Sequence, residues 1–355
     1  MGRQIAGFLA SWGRFDEVQI GDVSRERGEA VASELGGKCS YRFIDVREPK
    51  LAELLKGYDV VLNAVGPFYE FGPLVAKAAI EAGVGLVDIC DDYDAAERIL
   101  GLHDEAKARG VAVITGVGWT PGLSNLLAKL AYERLGGADA IRICWVGSAA
   151  DSRGLAVIMH LLYAITGQVP MYLNGQRTLV EAGSGREGVL YPPPIGIAPA
   201  YYTGHPEPVT LPIYLRGLRE VEVKGGLVPS WQNGLGRLFV KLRLTTTPAR
   251  RRRLSKFLHS IEGIFRSGGV ECSAVRVEAH GPSGSLVLAA ADRMGRLTGM
   301  PAAQCAEALA TGEVGIAGCY APEGCLDASR FLRALGSKGL KVFELKGEAF
   351  EEAAP

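Results

Sequence analysis

The stretch from Tyr58 to Cys90 constrains this chain most. It opens with Asp59-Val60-Val61-Leu62-Asn63-Ala64-Val65-Gly66-Pro67, a short apolar run that stops at a glycine and a proline. Val and Leu without polar alternation predict a strand covered on both faces. Gly66 and Pro67 predict the loop that ends it. Pro73 to Ala82 then reads as a helix closed by Gly83, and Leu86 to Cys90 as the next strand. Strand, helix and strand in that order predict a right-handed parallel crossover. Ligands of open parallel sheets bind beyond the C-terminal ends of the strands. That places Asn63 to Phe68 and Cys90 to Tyr93 at a candidate site, with a tight packing turn as the plainer alternative.

The flanking sequence continues the same grammar. Gly2 to Trp12 is a helical pattern, Glu17 to Asp22 a strand ending in an acid, and Arg25 to Leu35 a helix that Ser24 can cap. Cys39 to Ile44, Pro49 to Leu55, Glu97 to Arg109 and Gly110 to Gly116 extend the alternation of strand and helix. This is the pattern of an α/β, Rossmann-like, doubly wound parallel sheet. Such a domain normally opens with a strand and a GxGxxG turn feeding a helix. Here Gly2 stands where the last glycine of that turn is expected, so the first strand and two glycines are missing, and an N-terminally truncated domain is expected. Asp22 falls where an acid should meet the adenosine ribose, and Ser24 and Arg25 beside it could instead accept a 2′-phosphate. NAD and NADP both remain open, with Ser24 and Arg25 tilting the expectation to NADP. The plainer alternative makes Asp22 a turn residue and Ser24 a helix cap.

Composition excludes several classes. Lys plus Arg equals Asp plus Glu, 39 against 39, so no global basic field exists to hold a nucleic acid. The seven cysteines are scattered without a CxxC pair, which argues against a disulfide framework or structural zinc. No metal site is expected. The apolar run Ile5 to Leu9 is too short to span a membrane, and a cytoplasmic protein without membrane association is the expectation.

After Gly116 the chain changes character. Thr115 to Asn125 is a glycine-rich bend running into a helix, and Trp119 within it can wall a cleft. The dense acids Asp88, Asp91, Asp92 and Asp94 can raise one another's pKa if they converge. Residues 121–320 read as an α+β unit that follows a first domain of residues 1–120, with 321–355 returning to the first domain. Within it Leu155 to Thr166 is an apolar helix with His160 and Tyr163. Pro199 to Pro212 reads as a proline-rich loop presenting His205, Gly236 to Leu244 as a strand, and Arg250 to Arg253 as a basic helix start on the surface. Val270 to His280 and Leu286 to Asp292 read as a hairpin.

Taken together, Asp22-Val23-Ser24, Val60 to Pro67, Val87 to Asp92, Gly116 to Leu127, Pro199 to Pro212 and Ala321 to Cys325 resemble the saccharopine dehydrogenase-like family, in its branch with lysine 6-dehydrogenase. The resemblance covers nearly the whole chain through the order and spacing of these stretches. It implies a cofactor domain, a second domain supplying substrate contacts and a homodimer surface, and hydride transfer at a carbon–nitrogen centre. It matches Gly2 and Asp22 to the nucleotide end, and Asn63, Ala64, Val65, Gly66 and Pro67 to the loop along the cofactor. Asp88 to Asp92 and Gly118 to Asn125 match regions near nicotinamide and substrate. Where the family's saccharopine-forming reductases carry Gly-Leu-Asp-Pro-Gly, this chain has Gly118-Trp119-Thr120-Pro121-Gly122, which argues against saccharopine itself.

The expected activity is therefore that of an NAD(P)-dependent oxidoreductase on an amino acid or imine. Asp91, Asp92 and His205 are the acid–base candidates, Trp119 shapes the pocket, and Asn125 orients a polar substrate group. A non-catalytic protein of the same fold, binding a metabolite or partner, is the alternative.

Overall fold

A computed structural model describes residues 1–151, 154–266 and 269–355. The first unit runs α1 (Gly2–Ser11), β1 (Val18–Asp22), α2 (Arg25–Leu35), β2 (Cys39–Phe43), α3 (Leu51–Leu55), β3 (Val60–Asn63), α4 (Phe68–Ala82), β4 (Gly85–Asp88), α5 (Tyr93–Leu100), α6 (His103–Ala108) and β5 (Ala112–Ile114). Then α7 (Leu123–Arg134) leads to β6 (Ala140–Ser148), α8 (Leu155–Ala164), β7 (Gln168–Leu173), β8 (Gln176–Glu181), β9 (Glu187–Tyr191), β10 (Gly196–Tyr202), α9 (Glu207–Tyr214) and β11 (Glu220–Val228). Three helices follow, α10 (Trp231–Lys241), α11 (Pro248–Ser260) and α12 (Glu262–Phe265), and then the hairpin β12 (Ser273–Gly281) and β13 (Gly284–Asp292). The chain finishes with α13 (Met294–Ala310), β14 (Gly318–Tyr320), α14 (Pro322–Cys325), α15 (Ala328–Ser337), β15 (Val342–Lys346) and β16 (Ala349–Glu352).

The α/β expectation is met by a parallel sheet in the order β14-β5-β4-β3 and a separate parallel pair, β1-β2. Among the described residues no strand pairs with both β1 and β3, so the parallel ladders stay separate. The second sheet is mixed, in the order β16-β15-β13-β12-β6-β11-β10-β9, with β7 and β8 branching from β11. The return to the first sheet is made by β14, which pairs with β5, whereas β15 and β16 continue the second sheet past β13.

Local chemistry explains the boundaries. Ser24 caps α2 by accepting from the Arg27 amide, and Gly36 ends it at a φ of +62°. The helix expected from Pro73 begins at Phe68 instead, because the Asp92 carboxylate accepts the Tyr69 amide at 2.9 Å and satisfies its first turn. Glu97 to Arg109 divides into α5 and α6 rather than forming one helix. The proline-rich 199–212 stretch is ordered as the end of β10 and the start of α9, not a loop, since β9 and β11 take up the hydrogen bonds of β10. Gly236 to Leu244 lies mostly in helix α10 rather than a strand.

The core sits between the sheets. Leu126, Leu127 and Leu130 of α7 pack with Ile141, Ile143, Val275 and Val277 of the second sheet, all buried. Truncating any of these leucines to Ala costs about 2–5 kcal/mol. Helix α13 contacts α1, β3 and β4 as well as β13, so it joins the two units. No helix among the described residues is long and apolar enough to cross a membrane.

Candidate active site

A cleft of about 430 Å³ lies beyond the C-terminal ends of β3 and β4, closed on its far side by α8 and the second sheet. Its lining includes Ala64, Gly66 and Pro67 after β3, Asp91 after β4, Trp119 after β5, and His160 and His205 from the second unit. The apolar strands thus deliver their polar termini to one place, as an open parallel sheet requires.

The floor is fixed by two short loops. Asn63 is buried and its side-chain oxygen accepts the Val65 amide at 3.0 Å, which turns the chain at the end of β3. A Cβ on Gly66 would meet the Ala156 side chain of α8 at 3.0 Å, so glycine permits the close approach of the two walls. Asp88 accepts from the Cys90 amide at 2.9 Å, the Thr115 hydroxyl at 2.8 Å and the Gly116 amide at 2.9 Å. Burial raises its pKa to about 6 against those three bonds.

The acids gather around His160. Its Nδ1 lies 3.0 Å from Asp92 and 3.4 Å from Asp91. Burial opposes the charge on the ring, but Asp91 and Asp92 outweigh it and hold the pKa up at about 9. Asp91 is itself held above the usual carboxylate range by burial, with His160 opposing and Asp92 adding to the rise. Ligand atoms of the three residues lie within 4.8 Å of one another, a spacing a cation could also use. Both acids address the same ring nitrogen, Nδ1, so a cation there would compete with its proton.

His205 follows β10 and is fully enclosed. Its ring stands 5.1 Å from His160, edge to face, and 5.4 Å from Trp145. Burial and the neighbouring His160 charge push its pKa well below that of a free imidazole. Neither ring nitrogen finds a well-formed hydrogen bond, and Nδ1 is 3.9 Å from Glu207. Glu207 accepts from Thr120 at 2.6 Å and Ser124 at 2.7 Å, and burial raises its pKa against those two bonds.

The remaining predicted residues divide. Trp119 lines the cleft and meets Trp145 edge-on at 5.9 Å. Asn125 lies behind it, fully buried, accepting the Gly122 amide at 2.8 Å and donating to Thr210 at 3.1 Å. Asp92 also lies behind the lining, facing His160. Gly2 packs near Ala64, with a Cβ there reaching 3.6 Å. Asp22 accepts the Ser24 amide at 2.7 Å, while Arg25 turns outward to Glu29 at 2.8 Å. Two residues at the site were not among the candidates: His160, read only as part of an apolar helix, and Arg27, which lines the cleft 3.7 Å from Asp22.

The residues present fit a nicotinamide dinucleotide. Met1, at the head of α1, lines the cleft, so the free amides of that helix start can meet a phosphate. Gly66 leaves backbone room beside Ala64 and Pro67. Residues 1–114 match the family profile described as the saccharopine dehydrogenase NADP binding domain. Across 98% of both chains, the fold also superposes on the apo saccharopine dehydrogenase (L-Glu forming) of Saccharomyces cerevisiae, with a TM-score of 0.69 and 13% identity. A lipid droplet localized protein of Caenorhabditis elegans is 38% identical over 104 residues, 29% of this chain and 24% of that protein. The saccharopine dehydrogenase-like oxidoreductase of Rattus norvegicus is 36% identical over 77 residues, 21% of this chain and 18% of that protein. The matched stretches thus span a quarter or less of these curated relatives.

Proposed function

We propose that this chain is an NAD(P)-dependent oxidoreductase acting on the carbon–nitrogen centre of an amino acid or imine. The observation that carries this reading is the His160 ion pair with Asp91 and Asp92, set in the cleft opposite the Ala64 to Pro67 loop. The matched family domain and the relatives named as oxidoreductases support it.

Each residue has a distinct task. The start of α1 and Arg27 would hold phosphate groups, and Ala64, Gly66 and Pro67 would lie along the nicotinamide half. A bound nicotinamide supplies or accepts the hydride. Amine oxidation releases a proton and imine reduction consumes one, so a group that exchanges protons must stand at the nitrogen. His160 holds that proton at Nδ1 between the two acids, and Asp91, which lines the cleft, passes it to the nitrogen. Asp92 is a positioning residue, because one of its oxygens holds His160 and the other the start of α4. Neutral His205 and the two tryptophans exclude water from the reacting face. The seven free cysteines suit a reducing compartment such as the cytoplasm.

The test is steady-state kinetics with NAD and NADP against a panel of amino acids and imines. His160→Gln and Asp91→Asn should each lower turnover by roughly 10²-fold or more with cofactor affinity intact. Unchanged turnover in both would overturn the assignment.

A further inference from the structure

The exposed large apolar side chains are unevenly distributed. Trp231, Leu238 and Leu242 are 52%, 47% and 58% exposed. At seven and eleven residues' separation they fall within about 40° of arc on α10 and its extension, one outward stripe. Phe257 of α11 is exposed as well, at 59%.

Charge is concentrated in the same segment. Residues 231–266 hold nine lysines and arginines and one acid, Glu262, although the whole chain balances at 39 against 39. The four consecutive arginines do different things. Arg251 is buried and its guanidinium stands 5.2 Å from the ring of Tyr163, tethering α11 to α8. Arg250 donates to the Arg243 carbonyl, and Arg252 lies 3.7 Å from Glu70 of α4. Arg253 is exposed, as are Lys241 and Lys256.

A tryptophan-and-leucine stripe beside a dense basic field is the pattern of a helix that lies in the surface of a bilayer. The apolar side chains enter the acyl boundary and the lysines and arginines meet anionic headgroups. A nucleic acid would use the charge but leave the leucines in water. Lying on a membrane is also distinct from spanning one, which the helix lengths exclude for the described residues. We propose that α10 and α11 form a docking face for an anionic phospholipid surface. A cavity of about 160 Å³ lies beneath them, lined by Leu235, Phe239, Leu258 and Phe265 of the three helices, by Leu161 of α8 and by Ile165 just after it.

The experiment is sedimentation of the full chain with vesicles of phosphatidylcholine alone or mixed with phosphatidylserine. Binding is expected only to the mixed vesicles and should weaken with salt. The triple variant Lys241→Gln, Arg253→Gln, Lys256→Gln should lose about 10²-fold in affinity, at one basic contact's worth per residue. Leu238→Ser with Leu242→Ser should weaken it too, with circular dichroism unchanged in both variants. Quenching of Trp231 by brominated lipid, blanked with Trp231→Phe, gives a second readout. Equal binding to both vesicles, binding to neither, or a triple variant that binds like the parent would overturn the proposal. So would full displacement by duplex DNA with the leucine variant unaffected, which would mark a general polyanion site.

Discussion

The imidazoles of His160 and His205 meet edge to face at 5.1 Å, and their surroundings drive them to opposite protonation states. His160 has two carboxylates on one nitrogen, whereas His205 has burial and the positive neighbour. A pair of titratable groups pushed apart in this way assigns a charged and a neutral role within one cleft.

The first prediction is a pH profile. His160 is raised from 6.5 to about 9, so the stability it contributes is complete below about 6.5 and is lost as pH rises through about 9. Turnover that needs its proton falls over the same window. NMR titration of the ring should give a midpoint near 9 in the parent and a lower one in Asp92→Asn. A parent midpoint near that of free histidine would contradict the geometry.

The second concerns cofactor choice. Arg27 lines the cleft beside Asp22, while Arg25 faces away. Arg27→Ala should weaken NADP by about tenfold, as loss of one charged hydrogen bond does, with NAD little changed and Arg25→Ala silent. Calorimetry showing Arg25→Ala as the damaging variant would restore the sequence-based choice of Arg25.

The third separates stability from substrate binding. Asn125 holds Gly122, whose φ of +118° and crowded surroundings admit no side chain: a Cβ would reach the Gly118 amide nitrogen at 2.3 Å. Asn125→Ala should cost about 2 kcal/mol in urea unfolding, from its buried hydrogen bonds with Gly122, Ser124 and Thr210, with KM nearly unchanged. A raised KM at full stability would return Asn125 to the substrate.

The fourth is oligomeric state. We propose a homodimer through the second sheet, where Ile197 of β10 is 77% exposed. Light scattering should give twice the chain mass for the parent and the monomer mass for Ile197→Glu. A monomeric parent at micromolar concentration would defeat this.

Much of the fold was legible because local signals agreed. Ser24 and the period of Arg25 to Leu35 located α2 to the residue, and the Val60 to Pro67 run located β3 and its loop. Helix α10 was misread because Leu238, Val240, Leu242 and Leu244 alternate like a strand, while Trp231, Leu238 and Leu242 also share a helical face. That stripe is outward, so no buried face marked its period. The site was half legible. Asp91, Trp119 and the Ala64 to Pro67 loop follow strand ends, which sequence reveals. His160 comes from a separate helix some seventy residues away, and only folding brings it against the acids.

By accepting from Cys90, Thr115 and Gly116 at once, Asp88 clasps the loops after β4 and β5 together. The stretches bearing Asp91 and Trp119 are therefore held to one another through a single buried carboxylate. The opposite wall is α8, which starts after Gly154 and carries His160. A displacement of α8 from that wall would lengthen the contacts of His160 with Asp91 and Asp92, so the ion pair is a gauge of how far apart the two walls stand.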